Sequence, residues 1–450
     1  MDKAMSADRQ VRTRFAPSPT GSMHIGNLRT ALYAYVLAKH NSGDFILRIE
    51  DTDKKREIVG GIETIKNLLV TFGLNWDEFY IQSDRLQKYQ EAARKLVRSG
   101  NAFYCQCQPK NAKKQGYSEI LRDPCREKKL TAGAIKLKVP DKENISFSDF
   151  VLEKEISWEA ATVSDTTLLK SDGFPTYHLA AVVDDYDMKI SHVLRGHDWM
   201  PSTPIHILVY QFLGYKMPQI GHLTDILDPE GGKLSKRKGS TSCEGLLAEG
   251  YLPEAILNFI MLLGWAPKDN REIFSLAEFI KVFDKNGLQK SNPIFNREKL
   301  DWFNGEYIRK TQNSKLKTQI FKFYAGKYPE DKIESILPLV KDRIKTLREF
   351  GSLAGFFFEQ PKVNLKLLGK NFETHLNSAL KTLESIEFWK KEKIDERLLS
   401  LIKEKRFKTG DFFMDLRIAI TASRFTPPIN ESIVILGKKE TLKRIKEVLN

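Results

Sequence analysis

The sequence predicts an α/β protein: a doubly wound parallel sheet, an α+β insertion within it, and an all-α C-terminal region. Three observations lead there. Apolar strand-like runs alternate with segments of helical period over residues 11–72, the order that builds parallel sheets covered by helices. From about Ser99 that alternation gives way to short strands and charged loops, and it resumes near Thr166. From Pro253 onward nearly every segment has helical period, including Glu254 to Leu263 and Leu380 to Arg406.

Val11 to Ala16 is a short apolar run suited to a buried strand. Two prolines and Gly21 break it, and Leu28 to His40 follows as a helix that stops at Asn41-Ser42-Gly43. Strand, tight loop and helix place His24 and Gly26 at a helix N-terminus, where unpaired N–H groups and the helix dipole favour an anion such as phosphate. Gly26 admits a ligand close to the backbone, and His24 can add a donor. Phe45 to Asp51 reads as a central strand, apolar until it emerges in Glu50 and Asp51, with a further helix over Gly60 to Phe72. Ligands of such sheets sit at the carboxyl ends of the strands, so the His24 loop and Glu50 belong to one end.

The region from Ser99 carries strands at Ala102 to Tyr104 and Ala134 to Val139, and three of the four cysteines. Four cysteines in 450 residues are too few for a disulfide framework. Cys105, Cys107 and Cys125 instead suggest a metal knuckle suited to tetrahedral zinc, against three idle thiols. Past Thr166 the sequence offers a strand, a Gly-Phe-Pro turn, a helix and another strand, then a helix over Met200 to Leu213. The turn Asp228-Pro229-Glu230-Gly231-Gly232 presents Lys233-Leu234-Ser235-Lys236-Arg237-Lys238-Gly239. This cationic loop could neutralise charge growing on a leaving pyrophosphate and costs little to reposition. It is not a Walker A motif, because Leu234 follows Gly232-Lys233 and Leu227 stands at the upstream glycine position.

The net charge of +14 is unevenly spread: residues 311–450 hold 28 Lys+Arg against 18 Asp+Glu, an excess of +10. A basic C-terminal third suits a nucleic-acid-binding module, or else a solvated Lys-rich surface. No apolar run reaches the roughly 18 residues of a membrane span, and the N-terminus lacks the apolar core of a signal peptide. A soluble cytoplasmic protein is expected.

Several stretches turn these features into a family. Arg14 to Arg29, RFAPSPTGSMHIGNLR, resembles the HIGH signature of class I aminoacyl-tRNA synthetases, and RIEDTD (Arg48 to Asp53) narrows the resemblance to bacterial glutamyl-tRNA synthetases. KLSKR resembles that family's KMSKS loop, with Leu234 and Arg237 as departures. NREKLDWFNGEYIRK is similar to its stem-contact region, and Lys408 to Arg424 with Gly437 to Glu447 to the end of its anticodon-binding domain. The resemblance implies a Rossmann-like catalytic domain over 8–98 and 166–228, an acceptor-binding insertion over 99–165, the KLSKR loop and stem-contact helices over 229–310, and a helical anticodon-binding domain over 311–450.

It also implies a reaction: ATP-dependent attachment of glutamate to tRNA(Glu) through glutamyl-adenylate, releasing pyrophosphate and AMP, with Mg²⁺ accompanying ATP. The implied catalytic residues are His24, Lys233 and Lys236. ATP binding would draw on these with Pro17, Gly21, Gly26, Asn27, Leu234, Ser235 and Arg237. Arg14, Ala16, Ser18, Glu50, Tyr177, His178 and Arg195 would form the glutamate pocket, Glu50 at the ammonium and the two arginines on the side-chain carboxylate, which an arginine can bind bidentately. Many members carry Asn in the helix after that Tyr, where this chain has His178 and Ala181. Cys105, Cys107 and Cys125 would hold one structural zinc, with Tyr117 at the position of a Tyr ligand in relatives and Glu127 where some members have His. Arg348, Phe372, Trp389 and Arg417 are candidates for contacts with anticodon bases. A monomer is expected, and tRNA(Gln) stays open as a second acceptor. The rivals are a small-molecule nucleotidylyltransferase, which leaves the basic helical third unexplained, a non-enzymatic RNA-binding relative, against which the intact motif residues count, and a glutaminyl-tRNA synthetase, which has no use for two arginines.

Overall fold

The computed structural model describes residues 10–107, 118–234 and 241–450. The chain forms two compact units, Met1–Leu246 with Ile256–Arg297, and Leu247–Ala255 with Glu298–Asn450.

In the first unit β1 (Arg12–Phe15), β2 (Asp44–Ile49) and β3 (Glu78–Ile81) form a parallel sheet in that order. Helices α1 (Ile25–His40), α2 (Gly61–Thr71) and α3 (Leu86–Arg98) alternate with these strands. β2 is the central strand the sequence predicts, flanked on both sides and buried from Phe45 to Ile49. Helix α1 starts three residues ahead of the expected Leu28 because His24 caps it: Gly26 N–H donates to His24 Nδ1 at 3.1 Å.

The excursion from Ser99 contributes β4 (Ala102–Cys105), β5 (Ala134–Leu137), β6 (Asn144–Asp149) and β7 (Lys154–Glu159). β4 and β5 pair antiparallel with β8 (Thr167–Leu169). The hairpin β6–β7 instead joins the main sheet. After α4 (Tyr177–Asp187) come β9 (His192–Gly196), α5 (Thr203–Leu213) and β10 (Gln219–Leu223), and the second sheet runs β7-β6-β10-β9. The expected helix over Met200 to Leu213 is α from Thr203 only. His197–Ser202 is a 3-10 segment holding Pro201, and Pro204 sits in the first turn of α5, so both lack the N–H that a longer α-helix would use.

The two sheets meet where β9 lies beside β1, with Ser191 N–H donating to Arg12 O at 2.9 Å. The strand order across the unit is therefore β3-β2-β1-β9-β10-β6-β7. It reverses between β1 and β9, and a crevice opens at the carboxyl ends of strands at such a reversal. Arg14 on β1 and Arg195 on β9 stand on either side of it.

The second unit is helical. Asn313–Phe323, Glu330–Val340 and Leu347–Ala354 pack around Leu316, Ile320, Ile333, Ile336 and Phe350. Phe372–Glu384, Lys391–Lys405, Thr409–Thr421, Ile429–Leu436 and Lys438–Leu449 close over Leu376, Leu383, Leu398, Phe412, Leu416 and Ile433. These cores recur at the helical spacing visible in the sequence. Among the described residues no helix is long and apolar enough to cross a membrane.

Candidate active site

A cavity of about 570 Å³ opens at the sheet reversal. Arg14, Ala16, Pro17, Ser18, His24, Gly26, Asn27, Glu50, Tyr177, Arg195, Lys233 and Leu234 line it, so residues spread over 220 positions of sequence converge. Gly21 is exposed and His178 lies behind the wall; neither lines the cavity. Ser235, Lys236 and Arg237, like Tyr117, lie outside the described residues.

The floor is built on a buried arginine that the sequence reading did not single out. Arg48, wholly buried on β2, donates from Nη1 to Asp185 Oδ1 at 2.6 Å and from Nη2 to Glu50 Oε1 at 3.1 Å. Arg14 Nε donates to the same Asp185 oxygen at 3.1 Å, and Arg14 Nη1 to Leu194 O at 3.2 Å. Burial pushes the Glu50 carboxyl up from its ordinary value, against the pull of Arg48 and Arg14. For Asp185 burial acts in the same sense, but the two arginines outweigh it and hold that carboxyl below the usual range. Asp51, next along the run, is structural: it accepts from Ser83 N–H at 2.8 Å and from Lys54 at 2.9 Å.

On the other wall Arg195 is held on three sides. Its Nε donates to His222 Nε2 at 2.9 Å, Nη1 to Tyr177 Oη and His206 Nδ1 at 3.1 Å each, and Nη2 to Thr203 Oγ1 at 2.7 Å. Of the five N–H groups of this guanidinium, four are so used. His178 joins from behind, its Nδ1 3.4 Å from His206 Nε2. Burial, with the Arg195 charge adding to it, pushes His178 down to about 4 and His206 well below its ordinary value. The mouth is aromatic, Trp199 lying over Tyr177 with ring centroids 4.3 Å apart.

The phosphate side combines the His24 cap with Lys233. Because His24 Nδ1 accepts from Gly26, the ring's proton sits on Nε2 in the neutral form. Gly231 and Gly232, at φ 100° and 79°, make the turn that only glycine adopts readily, and Leu234 is buried with its N–H on Ile226 O at 2.9 Å. Lys233 is thereby held over the cavity, bonded to Asp198 and 3.1 Å from Asp225. Partial burial lowers its pKa, but the two carboxylates more than compensate and raise it, so the ammonium stays charged.

Away from this cavity, Cys105, Cys107, Asp123 and Cys125 bring four ligand atoms within 4.8 Å of one another. Cys105 Sγ donates to Asp123 Oδ2 at 3.0 Å, and the sulfurs of Cys107 and Cys125 are 3.5 Å apart. Asp123 was missed in the sequence because one carboxylate in a charged loop has no signature. Glu127 points elsewhere, pairing with Lys138 at 3.2 Å. In the helical unit, Trp389 is turned into the core with Nε1 on Ile433 O at 3.0 Å, and Phe372 packs against that core. That leaves them poorly placed for nucleotide bases. Arg348 donates to Ala248 O at 3.0 Å, and Phe425, which the sequence reading passed over, is 85% exposed.

The sheet reversal, the capping histidine and the lysine turn are the apparatus of class I aminoacyl-tRNA synthetases. The family model for "tRNA synthetases class I (E and Q), catalytic domain" matches residues 10–302, and one for "Anticodon binding domain" matches 312–449. Glutamate–tRNA ligases of Dehalococcoides mccartyi and Clostridium tetani are 39% and 40% identical to the chain, each comparison covering 97% of both sequences. The crystal structure of a glutamate tRNA ligase from Elizabethkingia meningosepticum in complex with its amino acid superposes with a TM-score of 0.84 at 32% identity, covering 98% of this chain and 99% of that one. The chain belongs to the glutamate–tRNA ligase family.

Proposed function

We propose that the cavity binds glutamate between Arg14 and Arg195 and ATP between the His24 loop and Lys233, for the family's reaction: attachment of glutamate to tRNA. The observation that carries this reading is the pair of buried arginines on adjacent strands facing one cavity, each with at least one N–H unspent by the protein. Two guanidiniums suit a side-chain carboxylate and would leave a neutral amide short of acceptors. Glu50 takes the substrate ammonium, with Arg48 keeping its carboxyl in place. Ala16 and Ser18 form the near wall, and Tyr177 closes the pocket. His178 acts through His206 and not by direct contact.

In the first step the glutamate α-carboxylate attacks the α-phosphorus of ATP, forming glutamyl-adenylate and expelling pyrophosphate. His24 donates from Nε2 to the phosphates, and Lys233 neutralises charge growing on the leaving group, a role Lys236 shares by its place in the motif. In the second step a hydroxyl of the terminal ribose attacks the acyl carbon, and AMP leaves. Pro17, Gly26, Asn27 and Leu234 shape the nucleotide site; Gly21, Ser235 and Arg237 keep their assignment from the motif alone. Mg²⁺ accompanies ATP and offsets phosphate charge.

Three thiols and a carboxylate within 4.8 Å fit tetrahedral zinc, so Cys105, Cys107, Asp123 and Cys125 would hold one structural ion. The division into catalytic, acceptor-binding, stem-contact and anticodon-binding parts is read from sequence as above. In this reading the chain acts as a monomer, on substrates of the cytoplasm. Charging of purified tRNA(Glu) and tRNA(Gln) side by side tests the reading. Glutamate transfer to tRNA(Glu) is expected, transfer to tRNA(Gln) would add a second acceptor, and glutamine transfer alone would overturn it.

A further inference from the structure

Arg195 is gripped by a relay that reaches into the inserted hairpin. Its Nε donates to His222 Nε2 at 2.9 Å, and His222 Nδ1 lies 2.6 Å from Asp149 Oδ2. Both His222 and Asp149 are wholly buried. An arginine Nε–H can only donate, so His222 Nε2 must accept, and the ring's one proton sits on Nδ1 facing Asp149. Asp149 closes β6, and its Oδ1 accepts from Val151 N–H at 2.9 Å and Leu152 N–H at 3.0 Å. The carboxylate is thus fixed in orientation by backbone and presents its second oxygen to the histidine. Nothing in the proposed chemistry uses these two residues directly.

We propose that His222 and Asp149 are positioning residues for glutamate recognition: Asp149 selects the His222 tautomer that accepts from Arg195, and so aims the guanidinium into the cavity. The proposal rests on Arg195 binding the glutamate side chain. It places a determinant of amino-acid affinity on a strand that enters the sheet from the inserted segment.

Asp149→Asn is nearly isosteric and reverses the logic. Its amide oxygen stays on the Val151 and Leu152 N–H groups and keeps the His222 backbone N–H at 3.3 Å. Its NH₂ therefore meets His222 Nδ1 and gives up the 3.1 Å bond that Oδ2 accepts from the His222 backbone N–H. The histidine then carries its proton on Nε2, and two donors face each other at Arg195, as when an Asp→Asn change imposes the wrong histidine tautomer in a catalytic triad. Aminoacylation kinetics of the full chain, with glutamate and ATP varied separately, read the effect. We expect the KM for glutamate to rise about tenfold or more while the KM for ATP and the kcat at saturating glutamate stay within about twofold. His222→Gln places an amide oxygen near the former Nε2 and should keep most of the glutamate affinity, whereas His222→Leu should lose it. Added to His222→Gln, the Asp149→Asn change should have little further effect, since no tautomer remains to be set.

Arg195→Lys separates the two layers of the argument. If it leaves the KM for glutamate unchanged, the assignment of Arg195 to the substrate fails. If it raises that KM and Asp149→Asn does not, the positioning role alone is overturned. Equal rises in the KM for glutamate and ATP with Asp149→Asn would make Asp149 a general structural residue and overturn it too. Were Asp149→Asn not to fold, the contrast of His222→Gln with His222→Leu decides, and equal glutamate KM values for those two would sink the proposal.

Discussion

Arg14 and Asp185 meet across 171 positions of sequence, Nε to Oδ1 at 3.1 Å, and the same oxygen takes Arg48 Nη1 at 2.6 Å. One carboxylate therefore anchors two buried guanidiniums, one that faces the proposed substrate and one that holds Glu50. Asp185→Asn should raise the KM for glutamate. It should also destabilise the protein by about 3 kcal/mol, because it strands buried positive charge. Urea unfolding alongside steady-state kinetics checks both; an unchanged midpoint would show that Arg48 and Arg14 find other partners.

Many of the residues that line the cavity were legible in the sequence; Arg29, Thr224 and Asp225, which also line it, and the residues that hold the pocket in place were not. His24, Glu50 and Lys233 stand in short local patterns, a loop before a helix, an acidic strand end and a Gly-Gly turn, whose physics is contained within a few residues. Asp185, His206, His222 and Asp149 act through contacts made only when β6, β9, β10, α4 and α5 assemble. A trace of them was present. β6 alternates exposed and buried positions, and Asp149 falls on the buried phase beside Ile145 and Phe147, a charge where the strand points inward. The β6–β7 hairpin reads as part of an insertion in sequence, and only its pairing with β10 shows it to extend the main sheet.

Lys233 should act on the chemical step. Bonded to Asp198 and near Asp225, it is held charged at the cavity mouth. Lys233→Met should lower kcat by roughly 10²-fold or more with little change in the KM for glutamate, since its charge matters most as pyrophosphate leaves. A variant altered only in its KM for tRNA would move Lys233 from catalysis to RNA contact.

Stability should fall with acid over a defined window. His178, ordinarily near 6.5, is pushed down to about 4, first by burial and then by Arg195. His206 and His222 are lowered also, with burial the leading cause. Below about pH 6.5 the unfolded chain takes up protons that the folded protein refuses, so stability is full above that pH and is lost progressively toward pH 4. His178→Gln should flatten this part of the profile. Thermal unfolding across pH 4 to 7 reads it, and identical slopes for both proteins would remove His178 from the account.

Metal analysis should find about one zinc per chain, and chelation should lower the melting temperature. Asp123→Ala should weaken retention of the ion, while Glu127→Ala should not, as Glu127 pairs with Lys138. Protein prepared without chelator and carrying less than about a tenth of an equivalent would mean idle thiols.

The helical unit should bind tRNA through separable charge and stacking contributions. Phe425 is 85% exposed, and its turn is fixed by Ser423, whose Oγ accepts from Phe425 N–H at 3.1 Å. Arg424 stands beside it in sequence, and Arg417 Nη1 reaches Arg424 O at 3.5 Å. An aromatic ring held in solvent suits stacking on an unpaired base, worth about 1–3 kcal/mol per base. Phe425→Ala should therefore weaken tRNA affinity by roughly 5- to 150-fold at fixed salt, with the slope of log K against log[salt] unchanged, because no phosphate contact is lost. Arg424→Gln should instead make that slope shallower by about one unit if Arg424 meets a phosphate. Fluorescence binding of tRNA(Glu) over a salt series separates the two. Equal affinities for wild type and Phe425→Ala would return Phe425 to the ordinary exposed surface, and a changed slope in that variant would show that the loop itself had moved.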